Sequence, residues 1–253
     1  MGLLDGKNIL ITGVISTSSL AFHTARLAQA EGARIVLTGY GRMSLVELVA
    51  RTLPHPAPVV ELDVTDADEL AALPQRVREH VDHLDGVLHA IAYAPPAGLG
   101  GDILRTEWED AAHALHVSAF SLKSLTQSVL SLLRPGAGVV ALDFDASTAW
   151  PGYNWQGIAK STLESCARYL ARDLGPREIR VNLVACGPVR TVAASAVDFT
   201  ALADSFARRA PLGWGGHDHH AVARACVALL SPWFPATTGE IVHVDGGAHA
   251  IGA

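Results

Sequence analysis

A chain of 253 residues is long enough for one large α/β domain with a well-buried core, and its length does not demand two. A net charge of -6 argues against nucleic acid as a partner, which calls for concentrated Lys and Arg. With 49% hydrophobic and only 17% charged residues, the apolar excess reads as helix faces buried between subunits.

No run of about eighteen uncharged apolar residues is present to span a membrane. The first residues enter an expected strand almost at once and leave no room for a signal peptide, so a cytoplasmic protein is expected. Cys166, Cys186 and Cys226 are scattered without C-x-x-C spacing, which fits reduced thiols.

Short β-branched or aliphatic runs alternate with longer helix-period segments. Strands are expected at 8–12, 33–38, 59–62, 86–91, 139–142, 180–184 and 240–244. Helices are expected near 21–31, 43–52, 66–81, 107–133, 154–174 and 218–231, ended by signals such as Glu31-Gly32-Ala33 and Leu174-Gly175-Pro176. This alternation predicts an α/β fold: a Rossmann-type, doubly wound, seven-stranded parallel sheet with helices on both faces. No linker, repeat or low-complexity tract divides it, so residues 1–253 read as a single dinucleotide-binding domain. Residues 193–216 are too long for a plain connection after the sixth strand. An insertion at the carboxyl end of a parallel strand is where a substrate lid belongs.

At the end of the first strand, a G-x-G-x-x-G search fails. Gly13 is present, followed by Ser19 and Ala21 where further glycines would stand. The turn can still work: serine hydroxyls and the backbone N–H groups of a helix beginning near Leu20 suit a pyrophosphate at the positive end of the helix dipole. Asp63 and Val64 follow the third strand, where a carboxylate can accept from an adenine amino group. The small Ala92 follows the fourth, where backbone must approach a cofactor closely. The second strand ends in Thr38-Gly39-Tyr40-Gly41-Arg42, without an acidic residue for the ribose hydroxyls. Arg42 facing a 2′-phosphate would mean NADP, whereas Tyr40 packing on the adenosine leaves room for NAD. A single arginine without a basic neighbour favours NAD.

Tyr153 and Lys160 stand seven residues apart on an expected helix, about two turns, so both side chains leave one face. A neutral phenol is a hydrogen-bond donor, and a nearby ammonium stabilises negative charge developing at it. That pair suits a reaction passing through an oxyanion.

Taken together, the chain resembles the enoyl-acyl carrier protein reductases of bacterial fatty-acid synthesis, a divergent branch of the short-chain dehydrogenase/reductases. The resemblance is carried by L-L-D-G-K-N-I-L-I-T-G, S-S-L-A-F-H, L-D-G-V-L-H-A-I, H-V-S-A-F-S, D-F-D, Y-N-W-Q-G-I-A-K, G-P-V-R-T and P-A-T-T-G-E-I-V-H-V-D-G-G, and it covers nearly the whole chain. The Gly13-Ser19-Ala21 spacing matches that family's own variant of the turn.

The resemblance implies an NADH-dependent oxidoreductase acting on enoyl thioesters of acyl carrier protein or CoA. It places Tyr153 on the thioester carbonyl, Lys160 on the nicotinamide ribose, and Phe144 as an aromatic wall beside the transferred hydride. Val189 would supply backbone contacts to the carboxamide, and Thr191 a hydroxyl near the pyrophosphate. It also implies a homotetramer built largely on the helices at 107–133 and 154–174, with Ala111, Ala119, Leu122 and Leu170 on their outer faces.

Departures from the pattern are Ala92 in place of glycine, Gln156 where a bulky apolar residue is expected, Ala194 where a methionine would line the acyl channel, and a shorter lid. They leave open a related reductase of an enone, imine or ketone in a specialised pathway. A non-enzymatic NAD-binding regulator is the reading of another class, disfavoured because both Tyr153 and Lys160 are kept.

His217, His219 and His220 flank Asp218 and read as a solvated helix start rather than a metal site. His113 and His116 read as surface or interface residues. Arg208 and Arg209 read either as a greeting for an acidic carrier protein or as an ordinary helix end.

Overall fold

The computed structural model describes residues 2–100, 102–191, 199–217 and 219–252. Seven parallel strands form one sheet: β1 (Asn8–Ile11), β2 (Arg34–Gly39), β3 (Val59–Glu61), β4 (Leu84–His89), β5 (Leu133–Asp143), β6 (Arg180–Cys186) and β7 (Ile241–Val244), in the order β3-β2-β1-β4-β5-β6-β7. The helices are α1 (Leu20–Ala30), α2 (Met43–Ala50), α3 (Ala67–Arg78), α4 (Trp108–Leu115), α5 (Ser121–Ser128), α6 (Asn154–Leu174), α7 (Phe199–Arg209) and α8 (His219–Leu230).

Side-chain alternation along the strands divides the core into two layers. Ile9 and Ile11 of β1, Leu88 of β4 and Val140 of β5 face a cluster that includes Ala21, Ala25 and Val222 of α1 and α8. Leu10, Val87, Val139 and Ala141 face the other side, where Leu73, Leu122, Leu125 and Leu163 of α3, α5 and α6 cover them. The sheet is therefore apolar on both faces, as the continuous aliphatic runs require. The strand order reverses between β1 and β4, and a crevice opens beyond the carboxyl ends of the strands at such a switch point.

Three expectations need correction. The helix expected over 107–133 is interrupted: α4 passes into a π-helical turn at His116–Phe120 before α5, and a short 3₁₀ turn follows at Val129–Ser131. One extra residue in a turn leaves the apolar period nearly intact, so the pattern cannot reveal it. β5 begins at Leu133 rather than 139, with Pro135-Gly136 carried inside the strand next to a register shift against β4. Finally, Ala111, Ala119 and Leu122 are not on outer faces: all three are buried within the chain, and Leu170 is half-covered against the same core layer. Their low polarity is explained by packing against the sheet. The exposed apolar side chains of this region are others, among them Trp108, Phe120 and Tyr169.

Candidate active site

The nucleotide end is built from backbone. Gly13 leaves β1 with a φ of 80°, and a Cβ there would lie 2.0 Å from the Ala90 carbonyl oxygen, so the turn admits only glycine. Thr12 ties the two strand ends together: its hydroxyl donates to Leu88 O (3.1 Å) and accepts from Ala90 N (2.9 Å). Ser19 is buried at the N-cap of α1, yet its hydroxyl folds back to accept from Ser16 N (3.0 Å) and Ile15 N (3.3 Å) and makes no cap bond to the helix. The first-turn N–H groups that Leu20 begins are thus not capped by their own N-cap side chain. This is the arrangement that receives an anion at a helix N-terminus.

Asp63 and the buried Val64 lie just past β3. Burial pushes the Asp63 carboxyl up, but hydrogen bonds from the Thr65 hydroxyl (2.7 Å), Thr65 N–H (2.8 Å) and the Tyr40 phenol outweigh it and hold the group below the usual carboxylate range. Tyr40 itself is exposed at 68%, its phenol raised by the Asp63 charge and by their hydrogen bond. Ala92 lies exposed beyond β4, and Arg42 is exposed ahead of α2.

The other end is built from side chains, most of them buried. Tyr153 sits at the N-cap of α6 and Lys160 within its second turn, which brings both to the end of β5. Lys160 is 4% exposed, and its ammonium donates to Leu142 O at 2.8 Å. Burial pulls its pKa down, opposed by the nearby Asp143. Two of its three N–H donors remain for a ligand such as a pair of ribose hydroxyls.

Asp143, buried at the end of β5, has both carboxylate oxygens without a hydrogen-bond partner among the described residues. Burial raises it to about 7 against the pull of Lys160. Tyr153 is pushed well above the usual phenol range by burial first and by Asp143 second. Cys186 is pushed up to about 12 by burial, so it behaves as a neutral thiol beside Asp143 O (3.7 Å). A phenol held neutral in this way can donate a hydrogen bond at any ordinary pH. It is a poor base.

Phe144, expected as a wall beside the transferred hydride, lies buried in a cluster of aromatic rings. Its ring centroid lies 5.1 Å from Tyr153, 5.3 Å from Trp150 and 5.8 Å from Phe206, with Trp150 stacked on Phe206 at 5.0 Å. Phe206 comes from α7, inside the segment read as a lid, where no helix was expected. Its polar composition hid an amphipathic period, and Phe206 is the buried apolar residue that anchors it.

Beyond β6, Gly187 packs so closely under Trp214 that a Cβ would lie 2.7 Å from the indole. Trp214 Nε1 donates to Pro188 O at 2.8 Å, and Arg190 N donates to Gly216 O at 2.9 Å. These bonds fix the segment after β6 that carries the buried Val189 and the half-buried Thr191 against the lid's far end. Residues 192–198, Ala194 among them, and Asp218 lie outside the described residues.

The remaining candidates are placed as follows. His219 is not simply solvated: its ring packs on His23 of α1 at 4.5 Å, and its Nε2 lies 3.1 Å from Arg190 O. Arg209 is bound to Ala248 O and Ile251 O and covers Trp150, a structural role that the carrier-protein reading missed. His113 is exposed beside Tyr93 and His116 is half-buried beside Phe120. Among the described residues no group of three or more His, Cys, Asp or Glu could hold a metal ion, and no helix is long and apolar enough to cross a membrane.

Comparison with known proteins agrees with this geometry. The family model described as Enoyl-(Acyl carrier protein) reductase matches residues 13–249. The Enoyl-[acyl-carrier-protein] reductase [NADH] of Mycolicibacterium smegmatis is 45% identical, across 98% of this chain and 97% of its own length. That of Mycobacterium avium is 44% identical over the same shares. The Enoyl-[acyl-carrier-protein] reductase [NADH] FabI of Aquifex aeolicus is 37% identical, over 100% of this chain and 94% of its own length.

Proposed function

The chain belongs to the enoyl-(acyl carrier protein) reductase family, and from that premise we propose that it transfers a hydride from NADH to the β-carbon of a trans-2-enoyl thioester in fatty-acid synthesis. The thioester is carried by acyl carrier protein or CoA, and the product is the saturated acyl thioester. The observation that carries this reading is the half-buried Tyr153, packed on Phe144 at the start of the helix that carries the buried Lys160.

Residues at both ends of the crevice fit a dinucleotide: the glycine-only turn at Gly13, the uncapped start of α1 at Ser19 and Leu20, Asp63 and Val64 beyond β3, and the free donors of Lys160. Ala92, Val189 and Thr191 complete the wall along the strand ends. Bound NADH supplies the hydride, which no side chain here can do. Tyr153 donates to the thioester carbonyl oxygen, where charge grows as the β-carbon is reduced. Because burial keeps the phenol protonated, that donor is always present. Lys160 fixes the ribose and adds positive charge beside the phenol. Phe144, Trp150 and Phe206 exclude water from the reacting atoms, and the α-carbon takes its proton from solvent or a relay.

NADH is preferred over NADPH, since Arg42 stands without a basic neighbour on the exposed side of β2. The lid over 193–216 covers the acyl chain, and its shortness limits specificity to medium chains, with efficiency flattening at roughly eight to twelve carbons once further methylenes reach water. Exposed Trp108, Phe120, Ile158 and Tyr169 on α4 to α6 and the turn between them suit burial in a homotetramer in the cytoplasm.

Steady-state oxidation of NADH and NADPH tests the reading, with crotonyl and longer trans-2-enoyl thioesters set against a panel of ketones, imines and enones. Turnover of the thioesters is expected. Exclusive turnover of a ketone, or none with any thioester, would replace this function with that of a related reductase or a regulator.

A further inference from the structure

The helix α7 is poorly secured by packing alone. Among its described side chains only Phe206 is buried, with Leu202 half-covered against the core. Phe206 stacks on Trp150 at 5.0 Å and lies 5.8 Å from Phe144, so this one contact joins the helix to the aromatic cluster beside Tyr153. A helix held by so little apolar contact opens easily unless a second anchor fixes it.

That anchor lies in the turn after β7. Asp245, 4% exposed, organises the turn: its carboxylate accepts from Gly247 N (2.9 Å), His249 N (2.8 Å) and His249 Nδ1 (3.0 Å), and a 3₁₀ turn follows at Ala248–Ala250. The chain leaving α7 seats on it through backbone. Leu212 N donates to Gly246 O at 3.1 Å, and a Cβ at Gly246 would lie 2.5 Å from Gly213 O. Arg209, the last residue of α7, completes the contact: its Nη2 donates to Ala248 O (3.0 Å) and to Ile251 O (3.1 Å), carbonyls at the end of the 3₁₀ turn, where a cation is favoured. Its guanidinium carbon lies 5.8 Å from the Trp150 ring, and its Nε is buried without a hydrogen-bond partner among the described residues. The two carbonyls are therefore the polar anchors of this side chain.

We propose that Arg209 is a positioning residue for the substrate surface: by tying the end of α7 to the turn after β7, it holds Phe206 against Trp150 and Phe144, where the enoyl group binds. The proposal rests on the thioester reading given under Proposed function. Phe206 and Arg209 are three residues apart, so one side of α7 faces both the aromatic cluster and the anchor. The structural chain is Asp245 carboxylate, the carbonyls of Ala248 and Ile251, Arg209 guanidinium, Phe206 ring. Arg209 acts through Phe206 and takes no part in the transfer of hydride or proton.

Three measurements on the full-length protein test it. Arg209→Met keeps an unbranched stem beside Trp150 and removes both hydrogen bonds. It should raise KM for crotonyl thioester about tenfold and leave kcat and the NADH dissociation constant within about twofold, the pattern of lost binding without lost chemistry. In the free protein, the α7 amides of this variant should exchange with deuterium about tenfold faster, while those of α1 and α6 keep wild-type rates. Asp245→Ala, which unseats the turn without altering α7, should raise KM and α7 exchange in the same way. Combined with Arg209→Met it should add little, because both substitutions break one contact.

Unchanged exchange across α7 in Arg209→Met would overturn the anchor. Faster exchange there with KM unchanged would overturn the positioning role, and exchange raised equally in α1 and α6 would make Arg209 a residue of general stability only. Effects of the two substitutions that add in full would show that Arg209 does not act through the turn. If Arg209→Met does not fold, Asp245→Ala carries the same two readouts. If the wild type reduces no thioester, the functional reading falls by itself, and the exchange rates still decide whether Arg209 holds α7.

Discussion

The two ends of the crevice are made of different materials. Around Gly13, Ser19 and Leu20 the structure offers backbone: a positive φ, a clearance too small for a methyl group and helix N–H groups. Around Tyr153, Lys160, Phe144 and Asp143 it offers largely buried side chains, and burial shifts the titration of the three ionisable ones. The first end tolerates changes of side-chain identity, which is why serine and alanine can stand where a dinucleotide turn usually has glycine. It tolerates no Cβ at Gly13. The second tolerates packing changes better than changes of charge.

The sharpest way to break the comparison is therefore Gly13→Ala. A methyl group 2.0 Å from Ala90 O cannot be accommodated without moving β1 or β4, and φ near 80° adds strain for any L side chain. Loss of detectable NADH binding is expected by fluorescence titration, with a lowered melting temperature. Retained NADH affinity would mean that the turn is not what holds the nucleotide.

Next in size are the two reacting-end substitutions. Tyr153→Phe should cut kcat by about 10²–10³ and keep NADH affinity, as loss of one oxyanion donor does. If Lys160 holds the ribose as proposed, Lys160→Ala should damage both kcat and NADH affinity. The pair of kcat and dissociation constants separates the roles, and tight NADH binding by Lys160→Ala would remove Lys160 from the ribose.

The same contrast explains what could be read in the sequence. Strand runs such as Asn8–Ile11 and Arg180–Cys186 are apolar on both faces, and helix periods such as that of α6 are long, so the architecture was legible. Tyr153 and Lys160 stood out because their residue types and spacing suit one reaction, and the structure sets them at the N-cap and in the second turn of α6. What was hidden depends on contacts between distant segments. Phe206 and Trp214 reach Phe144 and Gly187 only after the chain folds back, and Asp143 becomes unusual only through burial. The apolar Ala119 and Leu122 were assigned to the wrong side because a helix period gives a face without saying what covers it.

A smaller effect, in pH, should carry opposite signs for the buried histidines and for Asp143. His23 on α1 is lowered to about 4, chiefly by burial and then by His219, and the fully buried His89, bonded to Ser121 at 2.7 Å, is lowered to about 3 by burial. For both, the unfolded chain takes up a proton near 6.5 that the native state refuses, so stability is complete above that pH and falls as pH drops toward 4. Asp143 runs the other way: raised from 3.8 to about 7, it keeps its proton in the native state, so its contribution improves as pH falls through 7 toward 3.8. Two groups against one leave a net loss on acidification between 6.5 and 4. Asp63 and Asp245, held below 3.8, add to that loss only at lower pH. Melting temperature against pH should therefore peak near neutrality, and Asp143→Asn should steepen the acid side and raise stability at pH 8. An acid limb unchanged by Asp143→Asn would mean that the carboxyl is not protonated in the native state.

The mildest test lies at the adenine end, where a side chain does matter. Asp63 Oδ1 is already taken by Thr65, through its N–H and its hydroxyl, and the Tyr40 phenol also bonds this carboxylate. An adenine amino group arriving at Asp63 must therefore compete with the phenol for the remaining acceptor capacity. Tyr40 is exposed and gives up its hydrogen bond to water at little cost, so the competition is worth at most about one neutral hydrogen bond. Tyr40→Phe keeps the ring for stacking and removes the competitor, and NADH should bind more tightly by a few-fold, up to about tenfold. Calorimetric titration reads this directly. Weaker binding in Tyr40→Phe would mean that the hydroxyl orients Asp63 for the adenine rather than occupying it, and that this end of the crevice, like the other, is set up in advance by a tyrosine.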